Sequence, residues 1–334
     1  MRVFYLIAGV AMLFGVGFDL IWTTLGTHGG GPISGPVTTA IWWICVRIHR
    51  LRPSHRALSL VGSFVLAFIV VLWVAMVWFG CFLIFTGHPA SVVASRTRRP
   101  ADAGDRFYYV GATMFTLGTS EFVANGPPWR DIAALTGLVG LGTVTLAITF
   151  ILQVLQSVVL KRSLGAYISD VGGTPTEILT RSWTGEEFLG LDGHFADLTS
   201  MLHIVTEQHL AYPILHYFHS ERLRTATAVR LASLYETTLI LNQGVAPHLR
   251  LQRMTIQPLT DSLTGFADNI RGTFVHPKST PPLPPSLQPL RGIGVETVGD
   301  AEFAASVDAA QRIRRFFLGL VVDDGWAWSD VHRR

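Results

Sequence analysis

Three long apolar stretches dominate the pattern of hydrophobic and polar positions along this chain. They cover residues 4–25, 58–86 and 132–160 and contain few charged side chains. Because a bilayer core of about 30 Å is crossed by about 20 helical residues, each stretch predicts a transmembrane helix. A shorter apolar segment at 107–115 lies between the second and third stretches, and a polar turn at 116–121 follows it. The segment at 107–115 is too short to cross, so it predicts a helix that enters the membrane only partway.

A further apolar segment, residues 36–46, is also too short for an ordinary span. It contains two tryptophans and is followed by four arginines, at Arg47, Arg50, Arg52 and Arg56. This combination favours a helix lying at the membrane interface, with a short fourth span as the alternative.

Beyond residue 165 the pattern becomes that of a helical soluble domain. Thr174 and Pro175 form a typical helix start, and apolar side chains then recur at helical spacing. A proline-rich stretch precedes the last amphipathic helix and predicts an extended linker. The predicted helices lie near 192–219, 221–243, 249–270 and 300–322.

The predicted fold is therefore an all-α membrane protein. It has transmembrane helices with a re-entrant pore helix and filter loop, plus a helical cytosolic C-terminal domain. The predicted divisions are 1–56 (first span and interfacial helix), 57–160 (pore module), 161–276 (helical cytosolic domain), 277–298 (proline-rich linker) and 299–334 (C-terminal amphipathic helix).

Composition narrows the class of protein. The chain is 49% hydrophobic and only 15% charged, which is typical of a membrane protein. Only five of its acidic residues precede residue 161, so its basic character comes from loops flanking the membrane and predicts no nucleic-acid partner. Cys45 and Cys81 lie far apart in apolar surroundings, which argues against a disulfide or thiolate metal site. No catalytic or phosphate-binding motif is present, so neither an enzyme nor a cofactor is predicted.

Arginines set the predicted orientation. The basic residues 47–56 precede the second span and Lys161 and Arg162 close the third, which favours the cytoplasm for both flanks. Four arginines within 96–106 argue the other way. A filter entered from outside requires the first arrangement, which places Met1 outside and the C-terminal domain in the cytoplasm of a plasma-membrane protein.

The polar turn is the candidate selectivity filter, with the residues Thr116, Leu117, Gly118, Thr119, Ser120 and Glu121. A cation that crosses the bilayer needs its water shell replaced, and rings of backbone carbonyls can do this. Gly118 accepts the backbone dihedrals that such a loop requires, whereas Ser120 is expected to carry a strained conformation. Glu121 would place carboxylates at the outer mouth. A plain extracellular loop is the alternative, but it leaves the half-length apolar segment before it unexplained.

The turn resembles the filter of potassium channels, Thr-x-Gly-Tyr-Gly-Asp, at Thr116 and Gly118, with Glu121 keeping the carboxylate. Residues 57–160 as a whole resemble the pore module of the bacterial potassium channel family. The resemblance extends to the sequences WTTL at 22–25, GGGP at 29–32 and HLAYPILHYFHS at 209–220. It implies a homotetramer that conducts potassium. Thr119 and Ser120 depart from the pattern, so a poorly selective cation channel stays open.

The third span supplies the candidates for pore lining and gating. Glycines in this helix are possible hinges or close-packing sites, and its few polar side chains are expected to face a pore or a neighbouring helix. These candidates are Gly137, Gly140, Gly142, Thr149, Gln153 and Gln156. Asp19, an acid within the first span, predicts an interhelical hydrogen bond or a functional site.

Histidines within one predicted helix form a weak metal candidate. His209, His216 and His219 are spaced so that they could share a face, although polar packing is the favoured interpretation.

These features together predict a homotetrameric cation channel in the lipid bilayer, with potassium as the favoured ion. A non-conducting membrane anchor or sensor with a signalling tail is the alternative outside the channel class.

Overall fold

The computed structural model describes residues 2–26, 30–271 and 275–333, and within them the chain is an all-α membrane protein. This confirms the predicted fold class. Met1 and Gly29, which entered the orientation and the resemblance respectively, lie outside the described residues.

The first half of the chain holds four long helices, one short helix and a two-stranded sheet. In chain order the elements are α1 (Arg2–Leu25), α2 (Ser34–Leu51), α3 (His55–Thr86), β1 (Val92–Ala94), α4 (Ala103–Met114), β2 (Phe122–Ala124) and α5 (Pro127–Gly172). By length and composition, α1, α3 and α5 can each cross a membrane, in agreement with the three predicted spans. Among the described helices, α2 does not meet that standard, although it extends beyond the predicted 36–46 at both ends.

The second half is a set of shorter helices: α6 (Pro175–Ser182), α7 (Leu191–Ala211), α8 (Thr227–Leu239), α9 (Arg253–Ile270), α10 (Gln288–Arg291), α11 (Asp300–Asp308) and α12 (Gln311–Asp323). Thr174 caps α6 by accepting a hydrogen bond from the Glu177 amide at 3.1 Å, as the sequence predicts.

Three of the predicted helices are corrected. The helix expected over 192–219 ends at Ala211, because Pro213 starts a 3₁₀ turn. The helix expected over 221–243 begins only at Thr227 and widens into a π-helical turn over Ile240–Gly244. The single helix expected over 300–322 is two helices, with the break at residues 309–310.

The chain forms two compact units. One consists of Met1–Ala40 and Phe64–Val154, and the other of Ile41–Ser63 and Leu155–Arg334. Residues 41–63, which include the basic segment before the second span, therefore pack with the C-terminal half. The sequence-based divisions 1–56, 57–160 and 161–276 do not coincide with these units and stay predictions.

The proline-rich segment differs from a free tether. Leu287 and Leu290 are buried in the hydrophobic core of the second unit, as are Phe316 and Phe317 of α12. The guanidinium of Arg314 donates to the carbonyl oxygens of two residues in the proline-rich segment, Pro282 and Leu283, at 2.8 and 2.7 Å. Residues 277–298 and 299–334 thus belong to one packed core.

A buried ion pair orients Arg314 for this contact. Its Nε lies 2.7 Å from Oε1 of Glu236 on α8, and both side chains are almost fully buried. A bidentate pair of this kind satisfies both groups, whereas loss of one partner would leave a buried charge unpaired.

Candidate functional site

The short helix α4 has a well-defined start. Asp102 accepts a hydrogen bond from the Asp105 amide at 2.9 Å, and the Asp105 carboxylate accepts one from the Asp102 amide at 3.2 Å. This reciprocal capping box fixes where the helix begins.

An aromatic contact holds α4 against α3. The indole of Trp78 donates to the Phe107 carbonyl at 3.1 Å and stacks on the Phe107 ring at 4.5 Å between centroids. Gly111 allows this approach, since a Cβ there would overlap the Trp78 ring. The sequence prediction of a half-length helix before the polar turn is therefore confirmed, and α3 positions it.

A Schellman motif ends α4 and starts the candidate filter. The Leu117 amide donates to the Ala112 carbonyl at 2.8 Å, and the Thr116 amide donates to the Thr113 carbonyl at 3.1 Å. In this motif the residue after the cap is left-handed, and here that residue is Thr116, with φ 57°. Gly118 follows with φ 71°.

The location of backbone strain differs from the sequence expectation. Ser120 was the residue expected to be strained, but among the described non-glycine residues only Arg98 and Thr116 have a positive φ. The helix-ending motif imposes this conformation on Thr116, and a β-branched side chain resists it.

A two-stranded antiparallel sheet, the β1–β2 sheet, holds the outer end of the loop. Strands β1 and β2 pair antiparallel, with Ala94 opposite Phe122. The next residue, Ser95, donates its amide to the Glu121 carbonyl at 2.8 Å and its hydroxyl to the Ser120 carbonyl at 2.5 Å. Within the loop, the Thr119 hydroxyl accepts from the Glu121 amide at 3.2 Å.

The first four carbonyls of the loop differ from the last two in their hydrogen bonding. Among the hydrogen bonds formed by the described residues, none ends on the carbonyl oxygens of residues 116–119. The loop is also exposed in the single chain, apart from a half-buried Thr119. These oxygens are therefore free to accept an external partner.

Arginines around the loop have structural partners. Arg98 donates to the Asn125 side chain at 2.9 Å, Arg99 pairs with Asp105 at 3.2 Å, and Arg106 donates to the Pro89 carbonyl at 2.6 Å. These contacts connect the β1–β2 sheet, the start of α4 and the segment after α3. They give structural partners to three of the four arginines within 96–106.

The three glycines of the third span have different surroundings. Gly140 packs directly against Met114 at the end of α4, where a Cβ would overlap the Met114 backbone. Gly137 lies at ordinary contact distance from the Thr113 carbonyl, whereas Gly142 has open space around it. Gly142 lines an apolar cavity of about 180 Å³ together with Gly17. Close packing therefore explains Gly140, and Gly142 is the least constrained.

The polar candidates of α5 lie on one face. Thr149, Gln153 and Gln156 follow one another at spacings of four and three residues, and all three are exposed in the single chain. Thr145, which sequence reasoning missed, is exposed one turn before Thr149 and extends the stripe. Its signal was the same helical spacing.

Asp19 forms the interhelical hydrogen bonds that the sequence predicted. Its carboxylate is fully buried and accepts from the Trp73 indole at 2.8 Å. It also accepts from the amides of Ile33 and Ser34 at 2.7 and 3.0 Å, at the start of α2. Asp19 thus joins three helices, and these partners give it a structural role.

The three histidines do not form a metal site. His209 lies on α7 with its Nδ1 3.0 Å from the Val205 carbonyl oxygen, whereas His216 lies in the following 3₁₀ turn against Trp42. His219 lies beyond that turn, so the shared helical face does not exist. Among the described residues, no group of three or more metal-binding side chains is suitably arranged.

His219 instead belongs to a buried cluster. Its Nε2 lies 3.0 Å from Nδ1 of His55, and its Nδ1 lies 3.5 Å from the Asp324 carboxylate. His55 also stacks on Trp326. These contacts connect the residues just before the second span with the C-terminal end of the chain.

Buried histidines near this cluster have strongly lowered basicity. Burial and the nearby positive Lys161 lower the pKa of His209 to about 3 and that of His216 to about 4. Both side chains line a small cavity with Lys161 and Asp324. They are therefore neutral packing groups at neutral pH.

Comparison with known proteins supports an ion-channel domain in the first half of the chain. The family model described as ion channel matches residues 64–157, which include α4, the loop and most of α5. Over 326 residues the chain is 29% identical to the uncharacterized membrane protein YdjJ of Bacillus subtilis (strain 168), covering 97% of this chain and 95% of that protein. No solved structure matches. The family match indicates ion transport rather than catalysis.

Proposed function

We propose that four copies of this chain form a plasma-membrane cation channel that conducts potassium through the loop 116–121. One observation carries the proposal: four consecutive carbonyls, 116–119, are without a hydrogen bond from the described residues, at the C-terminal end of a half-length helix between two long apolar helices. Such carbonyls can replace the water shell of a cation.

Electrostatics favour a cation over an anion. The C-terminal end of α4 carries the negative end of the helix dipole and adjoins the loop. Glu121 is exposed just beyond it. Both features attract positive charge and repel anions.

A ring of copies is proposed because each chain contributes a single pore segment. One loop of six residues cannot surround an ion, whereas four around a symmetry axis can. The exposed stripe formed by Thr145, Thr149, Gln153 and Gln156 would then line the inner part of the pore. The basic segment before the second span supports a cytoplasmic location for the C-terminal half of the chain.

Poor selectivity among cations is the second candidate. Thr119 stands where the resemblance expects an aromatic brace, and the carbonyls of Ser120 and Glu121 are held by Ser95. Fewer free carbonyls leave fewer sites that discriminate potassium from sodium.

Purified protein in liposomes tests the proposal. We expect potassium flux, a four-fold assembly by native mass spectrometry, and a higher potassium-to-sodium permeability ratio in the double variant Thr119→Tyr/Ser120→Gly. That variant restores the aromatic and glycine of the potassium-channel pattern. Thr97→Tyr changes an exposed residue in the turn that follows β1. It is the matched control and should leave the ratio unchanged.

Other outcomes distinguish the alternatives. Equal permeability for both ions in the wild type would establish the poorly selective pore. No flux, together with a monomer or dimer, would favour the membrane anchor or sensor. An unchanged ratio in a conducting double variant would argue against this loop as the filter.

A further inference from the structure

The candidate filter is fastened at both ends by different elements. At its inner end, the amides of Leu117 and Gly118 donate to the Ala112 carbonyl at 2.8 and 3.2 Å. At its outer end, Ser95 donates to the carbonyls of Ser120 and Glu121 at 2.5 and 2.8 Å. The free carbonyls lie between these two attachments, so the position of the outer attachment limits how far the loop can move.

Ser95 directly follows strand β1, and the β1–β2 sheet is attached to the end of α3. The Asn125 amide donates to the Ser91 carbonyl at 2.9 Å, and the Asn125 side chain donates to the Ala90 carbonyl at 3.0 Å. The buried Ser91 hydroxyl donates to the Phe85 carbonyl at 2.5 Å, which joins the β1–β2 sheet to the end of α3. A chain of hydrogen bonds therefore links Ser95, which holds the loop, to helix α3.

The Ser95 hydroxyl holds the outer part of the loop, where Thr119 provides no hydrogen bond to a neighbouring helix of the described chain. Thr119 is too small to reach across to a neighbouring helix as an aromatic ring would, and its hydroxyl is used locally by the Glu121 amide. The hydrogen bond from Ser95 to Ser120 is the side-chain contact in the described structure that holds the outer loop from outside.

We propose that Ser95 is a positioning residue that sets the outer end of the filter by holding the Ser120 carbonyl. The inference rests on the proposed channel function and deepens it. The Ser95 hydroxyl does not contact the ion. It fixes the chain direction after Thr119, and thereby the spacing that the free carbonyls offer to a cation.

Three variants in liposomes test this role. Ser95→Ala removes the hydroxyl and should lower the potassium-to-sodium permeability ratio by about fivefold, the effect of one ordinary hydrogen bond, while flux persists. Ser95→Thr keeps the hydroxyl and should restore most of the ratio. Thr97→Ala removes an exposed hydroxyl from the turn that follows β1, outside the filter, and is the matched control, with an unchanged ratio.

Two results would overturn the inference in a conducting, selective wild type. One is an unchanged ratio in Ser95→Ala, and the other is an equal loss in Thr97→Ala.

Hydrogen exchange separates this failure from failure of the channel proposal. If Ser95 holds the loop, amides 117–121 exchange faster in Ser95→Ala than in Thr97→Ala. If wild-type vesicles pass no ions, both the channel function and the role of Ser95 in selectivity are wrong. Hydrogen exchange then decides by itself whether Ser95 holds the loop, the contact called the brace below. Equal exchange in the two variants overturns the brace regardless of flux.

Discussion

Thr116 carries the clearest conflict between a side chain and its backbone in the proposed filter. The Schellman motif at the end of α4 puts it at φ 57°, a conformation that glycine adopts freely and threonine does not. Such a conformation costs about 1–2 kcal/mol for an ordinary residue. Strain of this kind persists only where surrounding contacts enforce it, and it is often found at functional sites.

Replacement of Thr116 by glycine should therefore stabilise the protein. The relief of strain exceeds the entropy that glycine adds to the unfolded chain, so we expect a net gain of about 1 kcal/mol, measured as a higher melting temperature in detergent. Thr113→Gly makes the same chemical change inside α4 and should lower the melting temperature, because glycine weakens a helix. A similar decrease in both variants would show that Thr116 is not strained.

A buried carboxylate joins helix α1 to two other helices. Asp19 accepts hydrogen bonds from Trp73 on α3 and from the residues that begin α2. Gly31 packs closely against this carboxylate, since a Cβ there would overlap it. An acid within an apolar span is thus explained by assembly of helices rather than by ion transfer.

Asp19→Ala should destabilise the protein strongly. Several buried donors would lose their acceptor, and each unsatisfied group costs about 1–3 kcal/mol, so the melting temperature should fall by many degrees. Asp131→Ala removes an exposed acid at the start of α5 and should change stability by less than about 0.5 kcal/mol. If the two variants melted alike, the helix-joining role of Asp19 would be wrong.

The two compact units divide the chain differently from its order in sequence. Residues 41–63 pack with the C-terminal half, and His55 contacts both His219 and Trp326. The interior of this second unit holds several histidines beside Lys161 and Asp324. Its stability should consequently depend on pH.

The sign follows from the lowered pKa values of His209 and His216. Between pH 6.5 and about pH 4 the unfolded chain binds protons on these side chains while the folded chain does not. Stability is therefore complete above pH 6.5 and is lost as the pH falls through this window, by about 1.4 kcal/mol per pH unit for each histidine. Melting temperature against pH, measured in detergent, checks this.

Two variants separate the contribution of these histidines to the pH dependence of stability from the contribution of the carboxylates. His209→Phe should flatten the dependence of melting temperature on pH in the same window, because the side chain no longer titrates. His203→Gln, at an exposed position one and a half turns earlier on α7, should retain the wild-type dependence. Equal flattening in both variants would contradict the assignment to buried histidines.

Much of the fold was predictable because it depends on local or periodic features. Long apolar runs specify α1, α3 and α5, since a bilayer requires continuous hydrophobic length. The cap at Thr174 and the half-length helix before the loop were equally readable. Helix ends were less so: Pro213 and the π-helical turn after α8 changed two predicted boundaries.

The candidate site was also predictable only in part. Sequence identified the loop 116–121 and the stripe on α5, because glycine, threonine and helical spacing are visible along the chain. Only the folded chain revealed that Thr116 rather than Ser120 has the left-handed backbone, that Ser95 holds Ser120, and that the histidines lie apart. The first and the third depend on where a helix ends, at α4 and at α7, which hydropathy does not determine. The second depends on residues distant in sequence that meet through packing, and hydropathy along the chain does not record such contacts.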